Sequence, residues 1–182
     1  MNKRCQVFTP PENVIELLDI IQYQGELYGK KVIENTCGDG QILMAIVERY
    51  IKSCLNQELN LNQIKFGLEN DIYGAEINSS TYQECIDNLD QIAEKYGIYE
   101  VQWNIHNGDV LKYKFLCKFS YIIGNPPYIT YRDLDNDLRK FLREKYTVCS
   151  VGKFDYCYAF IQEGINCLCE NGKLAYLIPS SI

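Results

Sequence analysis

Five short runs of β-favouring residues, at 31–35, 72–77, 101–105, 119–123 and 174–178, each stop at or within two residues of a glycine, acid, asparagine or proline. Residues 42–47, 79–92 and 155–170, which lie between them, carry apolar side chains at helical spacing. Strands that alternate with helices cannot pair as hairpins, so the pattern predicts an open, mostly parallel, doubly wound α/β sheet. A further helix, over residues 8–22, precedes the first strand. Pro10 and Pro11 suit its first turn, and Thr9 is its expected N-cap. Ser79 or Ser80 is expected to cap the helix after the second strand, and Asn171-Gly172 to end the helix over 155–170. The Asn/Gln-rich stretch 56–70, interrupted by Gly67, reads as a surface insertion.

A chain of 182 residues, 47% hydrophobic, suits one domain. No apolar run approaches the roughly 20 residues that span a bilayer, and a cytoplasmic protein with no membrane partner is expected. The nine cysteines are odd in number and contain no C-x-x-C pair, and the single histidine, His106, is remote from the close pair Cys167 and Cys169. Reduced thiols are therefore expected, with no metal site and no histidine-based nucleophilic catalysis. The net charge of −6 argues against tight nucleic-acid binding by this chain as a whole, although Arg132, Arg139, Lys140, Arg143 and Lys145 form a local basic group.

In open α/β sheets ligands bind beyond the carboxyl ends of the strands. Glu34, Glu76, Asp109 and Asn125 all fall there. Cys37-Gly38-Asp39-Gly40 allows a tight turn but is shorter than G-x-G-x-x-G, lacks the phosphate-binding Lys-Ser/Thr, and offers no cation to a pyrophosphate. Acids at successive strand ends suit a ligand rich in donors: ribose hydroxyls, an ammonium and an exocyclic amine, with a positive sulfonium nearby. S-adenosylmethionine has that set.

Asn125-Pro126-Pro127-Tyr128 is the sharpest signal. Consecutive prolines fix φ and remove two amide donors, which makes the backbone after Asn125 rigid. The Asn125 side-chain oxygen and the Pro126 carbonyl suit the two hydrogens of a planar NH₂ group, while Tyr128 offers a stacking face. An amine conjugated to a ring is a weak nucleophile, so alignment with the methyl donor matters more than a strong base.

These residues together resemble the adenine-N6 DNA methyltransferases of restriction-modification systems, in the gamma-type order of Phe-Thr-Pro, glycine loop, then Asn-Pro-Pro-Tyr. The resemblance rests on Phe8-Thr9-Pro10-Pro11, Glu34-Asn35-Thr36-Cys37-Gly38-Asp39-Gly40, Gly74-Ala75-Glu76-Ile77, Gly108-Asp109-Val110, Asn125-Pro126-Pro127-Tyr128, Lys153-Phe154-Asp155-Tyr156 through Phe160, and Leu177-Ile178-Pro179. It implies a Rossmann-like fold that binds S-adenosylmethionine and transfers its methyl to the adenine N6 amine. Thr9 and Glu34 would lie near the methionine end, with Phe8 and Pro10 also binding the cofactor, Thr36, Cys37, Gly38 and Gly40 in the cofactor loop, Glu76 on the ribose, and Asp109 on the adenine amine. Ile77, Val110 and Phe160 would pack the cofactor's adenine, and Asn125, Pro126, Pro127 and Tyr128 would grip the target base, Asn125 also bordering the cofactor.

The resemblance further implies double-stranded DNA as partner of the full-length enzyme, and a cognate restriction or specificity subunit. It divides the chain, expected to be one catalytic domain over 1–182, into a cofactor half (31–110) and an Asn-Pro-Pro-Tyr half (119–182). Asn35 stands where the family commonly has proline. The chain stops at Ser180-Ser181-Ile182, where the family continues into a target-recognition domain, so a fragment or split subunit, not necessarily active alone, is expected. The motif itself tolerates any planar amine, which leaves protein glutamine or RNA guanine methylation as alternatives, or a non-catalytic cofactor-binding module. The Phe8-Thr9-Pro10 element favours adenine in DNA.

Overall fold

The computed structural model describes residues 9–178. A five-stranded sheet in the order β3-β2-β1-β4-β5 organises them, with every neighbouring pair parallel. The strands are β1 (Val32–Glu34), β2 (Ile72–Glu76), β3 (Asn104–Asn107), β4 (Phe119–Gly124) and β5 (Leu168–Tyr176). The helices are α1 (Pro11–Ile20), α2 (Gln41–Asn56), α3 (Leu61–Asp71), α4 (Ser79–Glu94), α5 (Asn136–Lys145) and α6 (Cys157–Cys167). Strand order reverses between β1 and β4, so the crevice at their carboxyl ends is the place where this architecture binds ligands.

Successive strand residues face opposite sides, and both sides are covered. Val32, Tyr121 and Ile123 join the cluster built by α1 to α4, whereas Ile33 and Ile122 face the other side with Phe119. The register shift between Phe119 and Tyr121 accounts for their falling on different sides despite their even spacing.

Several expected boundaries move. The polar stretch 56–70 is largely helical, as α3, because Asn60 and Gln63 form a reciprocal capping box and Ile64 and Leu68 bury one stripe. Gly67 does not break the helix. A Cβ there would meet the Tyr50 hydroxyl at 2.2 Å and the Tyr28 ring at 3.0 Å, so its small size permits close packing. The Tyr50 hydroxyl donates to Asp71 Oδ2 at 2.6 Å.

The first helix begins at Pro11 with Pro10 as N-cap and no side-chain cap, so Thr9 does not cap it. Asn78, rather than Ser79 or Ser80, caps α4, accepting from the Ser80 and Thr81 amides. Residues 101–103 leave the third strand because the Gln102 amide bonds Glu69 and the Trp103 indole bonds Asp90 at 2.8 Å. Helix α6 ends at Cys167, and Asn171-Gly172 lies inside β5. Asn171 there has φ 62°, and a Cβ on Gly172 would meet the Phe119 carbonyl at 2.8 Å, so the pair serves an irregular strand rather than a helix end. Helix α5, not expected from the sequence, is capped by Asp135.

Among the described residues no helix is long and apolar enough to cross a membrane, no cluster of three metal-ligating side chains occurs, and eight cysteines are free thiols.

Candidate active site

Glu34, Glu76 and Asn107 end β1, β2 and β3, and Asn125 follows the last residue of β4, so the polar groups of four adjacent strands crown one edge of the sheet. The glycine turn joins β1 to α2 through Gly38 at φ 54° and Gly40 at φ 92°, the left-handed conformation that glycine adopts without strain. A Cβ on Gly40 would also press on Cys85 Sγ at 2.9 Å.

Glu76 is held before any ligand arrives. One carboxylate oxygen accepts from the Gly38 amide at 3.1 Å and the other from the Asn78 amide at 2.7 Å. The Asn107 side-chain amide and the Gly108 backbone amide both donate to the Glu76 carbonyl, which ties β3 to the same point. Asp109 accepts from the Leu111 amide at 3.0 Å and lies 3.5 Å from Lys112.

Glu34 differs from both. It is 2% exposed, and its Oε2 has no hydrogen-bond partner. Burial, aided by Cys85, Asp39 and Glu76, raises its carboxyl well above the ordinary range. A buried acceptor left unpaired costs about 1–3 kcal/mol, which a ligand donor reaching it would relieve. The Cys37 thiol is pushed up by its contact with Cys85 and by burial, so it adds no anion here.

Asn125 sits in a network that closes on itself. Its Nδ2 donates to Thr9 Oγ1 at 3.1 Å, and its Oδ1 accepts from the Tyr128 hydroxyl, which also reaches the Leu177 carbonyl at 2.6 Å. Thr36 Oγ1 donates to the Asn125 carbonyl at 3.2 Å and so links the glycine loop to this turn. Pro126 is buried and Pro127 half-buried. Burial raises the Tyr128 hydroxyl above its ordinary value, so the phenol remains a donor.

The structure therefore brings Thr9, Glu34, Thr36, Gly38, Glu76 and Asn125 into one connected edge. Val110 and Phe160 are buried together in the neighbouring apolar cluster, while Ile77 is 47% exposed. Pro10 is half-buried at the start of α1. Phe8 and Pro179, with Ser180, Ser181 and Ile182, lie outside the described residues.

Two contributions were not anticipated from the sequence. Asn35 donates to the Tyr176 hydroxyl at 2.5 Å, clasping β1 to β5, which a proline at that position would not do. Asn107 also braces Ser79 at 2.9 Å. Its place two residues before Asp109, at the end of an alternating run, was the available signal. The basic group is mostly structural: Arg139 and Arg143 bond backbone carbonyls and stack over the Tyr131 ring, with 4.6 Å and 5.4 Å to its centroid.

The family model described as Eco57I restriction-modification methylase matches residues 26–182. Type II methyltransferase M.BstVI of Geobacillus stearothermophilus is 30% identical over 94% of this chain and 32% of its own length. The modification methylase CviBIII of Paramecium bursaria Chlorella virus NC1A is 29% identical over all of this chain and 39% of its own length. The chain thus spans about a third of these curated relatives. Among solved structures, a putative class I S-adenosylmethionine-dependent methyltransferase of Listeria monocytogenes aligns with a TM-score of 0.64 at 15% identity, covering all of this chain and 49% of that one. The likeness establishes the fold.

Proposed function

The chain belongs to the Eco57I restriction-modification methylase family, and from that premise we propose that it forms the catalytic core of an enzyme that methylates the N6 amine of adenine in double-stranded DNA. Its cofactor is S-adenosylmethionine, as family and fold imply. Bound at the strand ends, the cofactor supplies an electrophilic methyl group. The donor set fits: Glu34 Oε2 is buried and unpaired, and Glu76 and Asp109 add acceptors at the next two strands.

In this reading residues 31–110 hold the cofactor and residues 119–182 the target base. Thr9 and Glu34 receive the methionine end, the loop Thr36, Cys37, Gly38, Gly40 lets the ligand approach closely, Glu76 receives the ribose and Asp109 the adenine amine. Ile77, Val110 and Phe160 wall the cofactor's adenine, and Phe8 and Pro10 also belong to the cofactor-binding residues. The single observation that carries the reading is the rigid Asn125-Pro126-Pro127-Tyr128 turn after β4, next to β1 at the reversal of strand order.

For a target amine to enter, Asn125 Oδ1 exchanges the Tyr128 hydroxyl for the incoming N–H, and the Pro126 carbonyl takes the second hydrogen. Both oxygens stabilise positive charge developing on the nitrogen. Tyr128, freed from Asn125, offers its ring to a base turned out of the duplex, offsetting part of the few kcal/mol that unstacking costs. The reaction belongs with a restriction partner or specificity subunit in the cytoplasm.

The test supplies DNA, RNA and a protein substrate in parallel with S-adenosylmethionine carrying a tritiated methyl, then digests each to its nucleosides or amino acids. Label in N6-methyldeoxyadenosine is expected. Label in a cytosine derivative, in RNA guanine or on a protein glutamine contradicts the adenine assignment.

A further inference from the structure

Two residues beyond Tyr128 the surface opens into a cavity of about 330 Å³, near the lower end of the ~300–1,000 Å³ range of ligand sites. Loop 130–132 forms one wall and residues 153–155 the other, with Tyr158 of α6 beside them. None of the strand-end acids lines it. Its charged lining is Arg132, Lys153 and Asp155, and its aromatic lining Tyr131, Phe154 and Tyr158.

The cavity has a fixed frame. The Tyr156 amide donates to the Ile129 carbonyl at 2.9 Å, which fastens its second wall to the end of the Asn-Pro-Pro-Tyr turn. Arg139 bonds the Tyr131 and Arg132 carbonyls, both at 3.0 Å, and Arg143 bonds the Ser150 and Gly152 carbonyls at 2.9 and 2.7 Å, bracing the other loop. Those two arginines are consumed in bracing. Arg132 and Lys153 are not: both are exposed, and the side chain of neither has a hydrogen bond or ion pair among the described residues.

Residues 130–158, which span the lining, hold six of the chain's 18 Lys and Arg and five of its 24 Asp and Glu, so this region is slightly positive on an acidic protein. Consistent with that field, Arg143, Arg139 and Lys153 lower the Tyr131 hydroxyl below its ordinary value, the Arg143 hydrogen bond most.

Two unpaired cations above aromatic walls match a phosphodiester and the ring attached to it. Resting on the DNA reading above, we propose that this cavity binds the nucleotide flanking the target: Arg132 and Lys153 hold its phosphate, and Tyr131 and Tyr158 contact its sugar or base. Asp155 accepts from an N–H donor on that base. Because the cavity wall is tied to Ile129, one residue past Tyr128, gripping the neighbouring phosphate sets the register of the target against Asn125. Arg132 and Lys153 are thus positioning residues, not catalytic ones.

The test measures anisotropy of a labelled DNA duplex with the purified chain over a salt series, alongside calorimetry with S-adenosylmethionine. Removing one phosphate contact lowers the slope of log affinity against log salt by about one. Arg132→Ala and Lys153→Ala are each expected to do this, Arg132→Lys to restore it, and all three to leave cofactor affinity unchanged. Lys95→Ala, at the end of α4 and the opposite edge of the sheet, is expected to match the parent. Parent-like slopes in both Arg132→Ala and Lys153→Ala, or an equal loss in Lys95→Ala, overturn the site while the DNA reading stands. A parent that binds the cofactor but shows no salt-dependent DNA binding overturns the phosphate site, while the DNA reading is judged separately by the tritium-transfer assay above.

Discussion

The two halves of the strand-end crown satisfy their polar groups in opposite ways. In the cofactor half Glu76 and Asp109 are anchored by backbone amides, and Glu34 is buried with one oxygen unpaired. In the Asn-Pro-Pro-Tyr half Asn125, Tyr128, Thr9 and the Leu177 carbonyl bond one another. In the first half the anchors of Glu76 and Asp109 stay in place when a ligand binds in the proposed way, while the atoms that cover Glu34 Oε2 must shift before a donor reaches it. In the second, Asn125 Oδ1 gives up the Tyr128 hydroxyl before it accepts from a target base in the proposed reaction.

Asn125→Ala presses hardest on this contrast. Loss of the acceptor at the transferring amine is expected to lower the methyl-transfer rate by about 10²–10³-fold, read by tritium incorporation, with cofactor affinity falling far less. A comparable collapse of cofactor affinity would mean that the halves are not separable.

Glu34→Gln probes the unpaired acid. Because burial raises the folded-state value of Glu34, the unfolded chain releases its proton first as pH rises, and stability falls above the ordinary carboxylate range. Glutamine removes that titration. The variant is expected to gain stability on the parent as pH rises from 4 to 7.5 in urea unfolding, while cofactor affinity drops. Parallel pH profiles would show that Glu34 carries no such cost.

Tyr128→Phe is the mildest test. It removes the hydroxyl from Asn125 and Leu177 but keeps the ring, so stability is expected to fall by about 0.5–1.5 kcal/mol with methyl transfer close to the parent's. Tyr128→Ala forfeits the stacking face as well, worth about 1–3 kcal/mol per base. Equal transfer defects in the two variants would place the function in the hydroxyl rather than the ring.

What the sequence made legible follows the same division. Strand ends were readable because a β run that meets a glycine, acid or proline has one physical outcome, and Glu34, Glu76 and Asn125 were found that way. Helix α3 was not, since its apolar stripe is only Ile64 and Leu68 and its cap is an asparagine within a polar stretch. The Thr9 hydroxyl was misjudged as a helix cap because its partner, Asn125, is 116 residues away. The Asn35 to Tyr176 clasp, spanning 141 residues, was invisible for the same reason. Local chemistry can be read from spacing, but contacts between distant strands require the sheet order.

Calorimetric titration of S-adenosylmethionine into the parent chain, Glu76→Ala and Asn125→Ala tests the cofactor half most directly. One binding site is expected in the parent, with affinity about 10–100-fold weaker in Glu76→Ala, as loss of a charged hydrogen-bonding group implies, and weakened much less in Asn125→Ala, since Asn125 only borders the cofactor. No heat with the folded parent, or equal weakening in both variants, would contradict it.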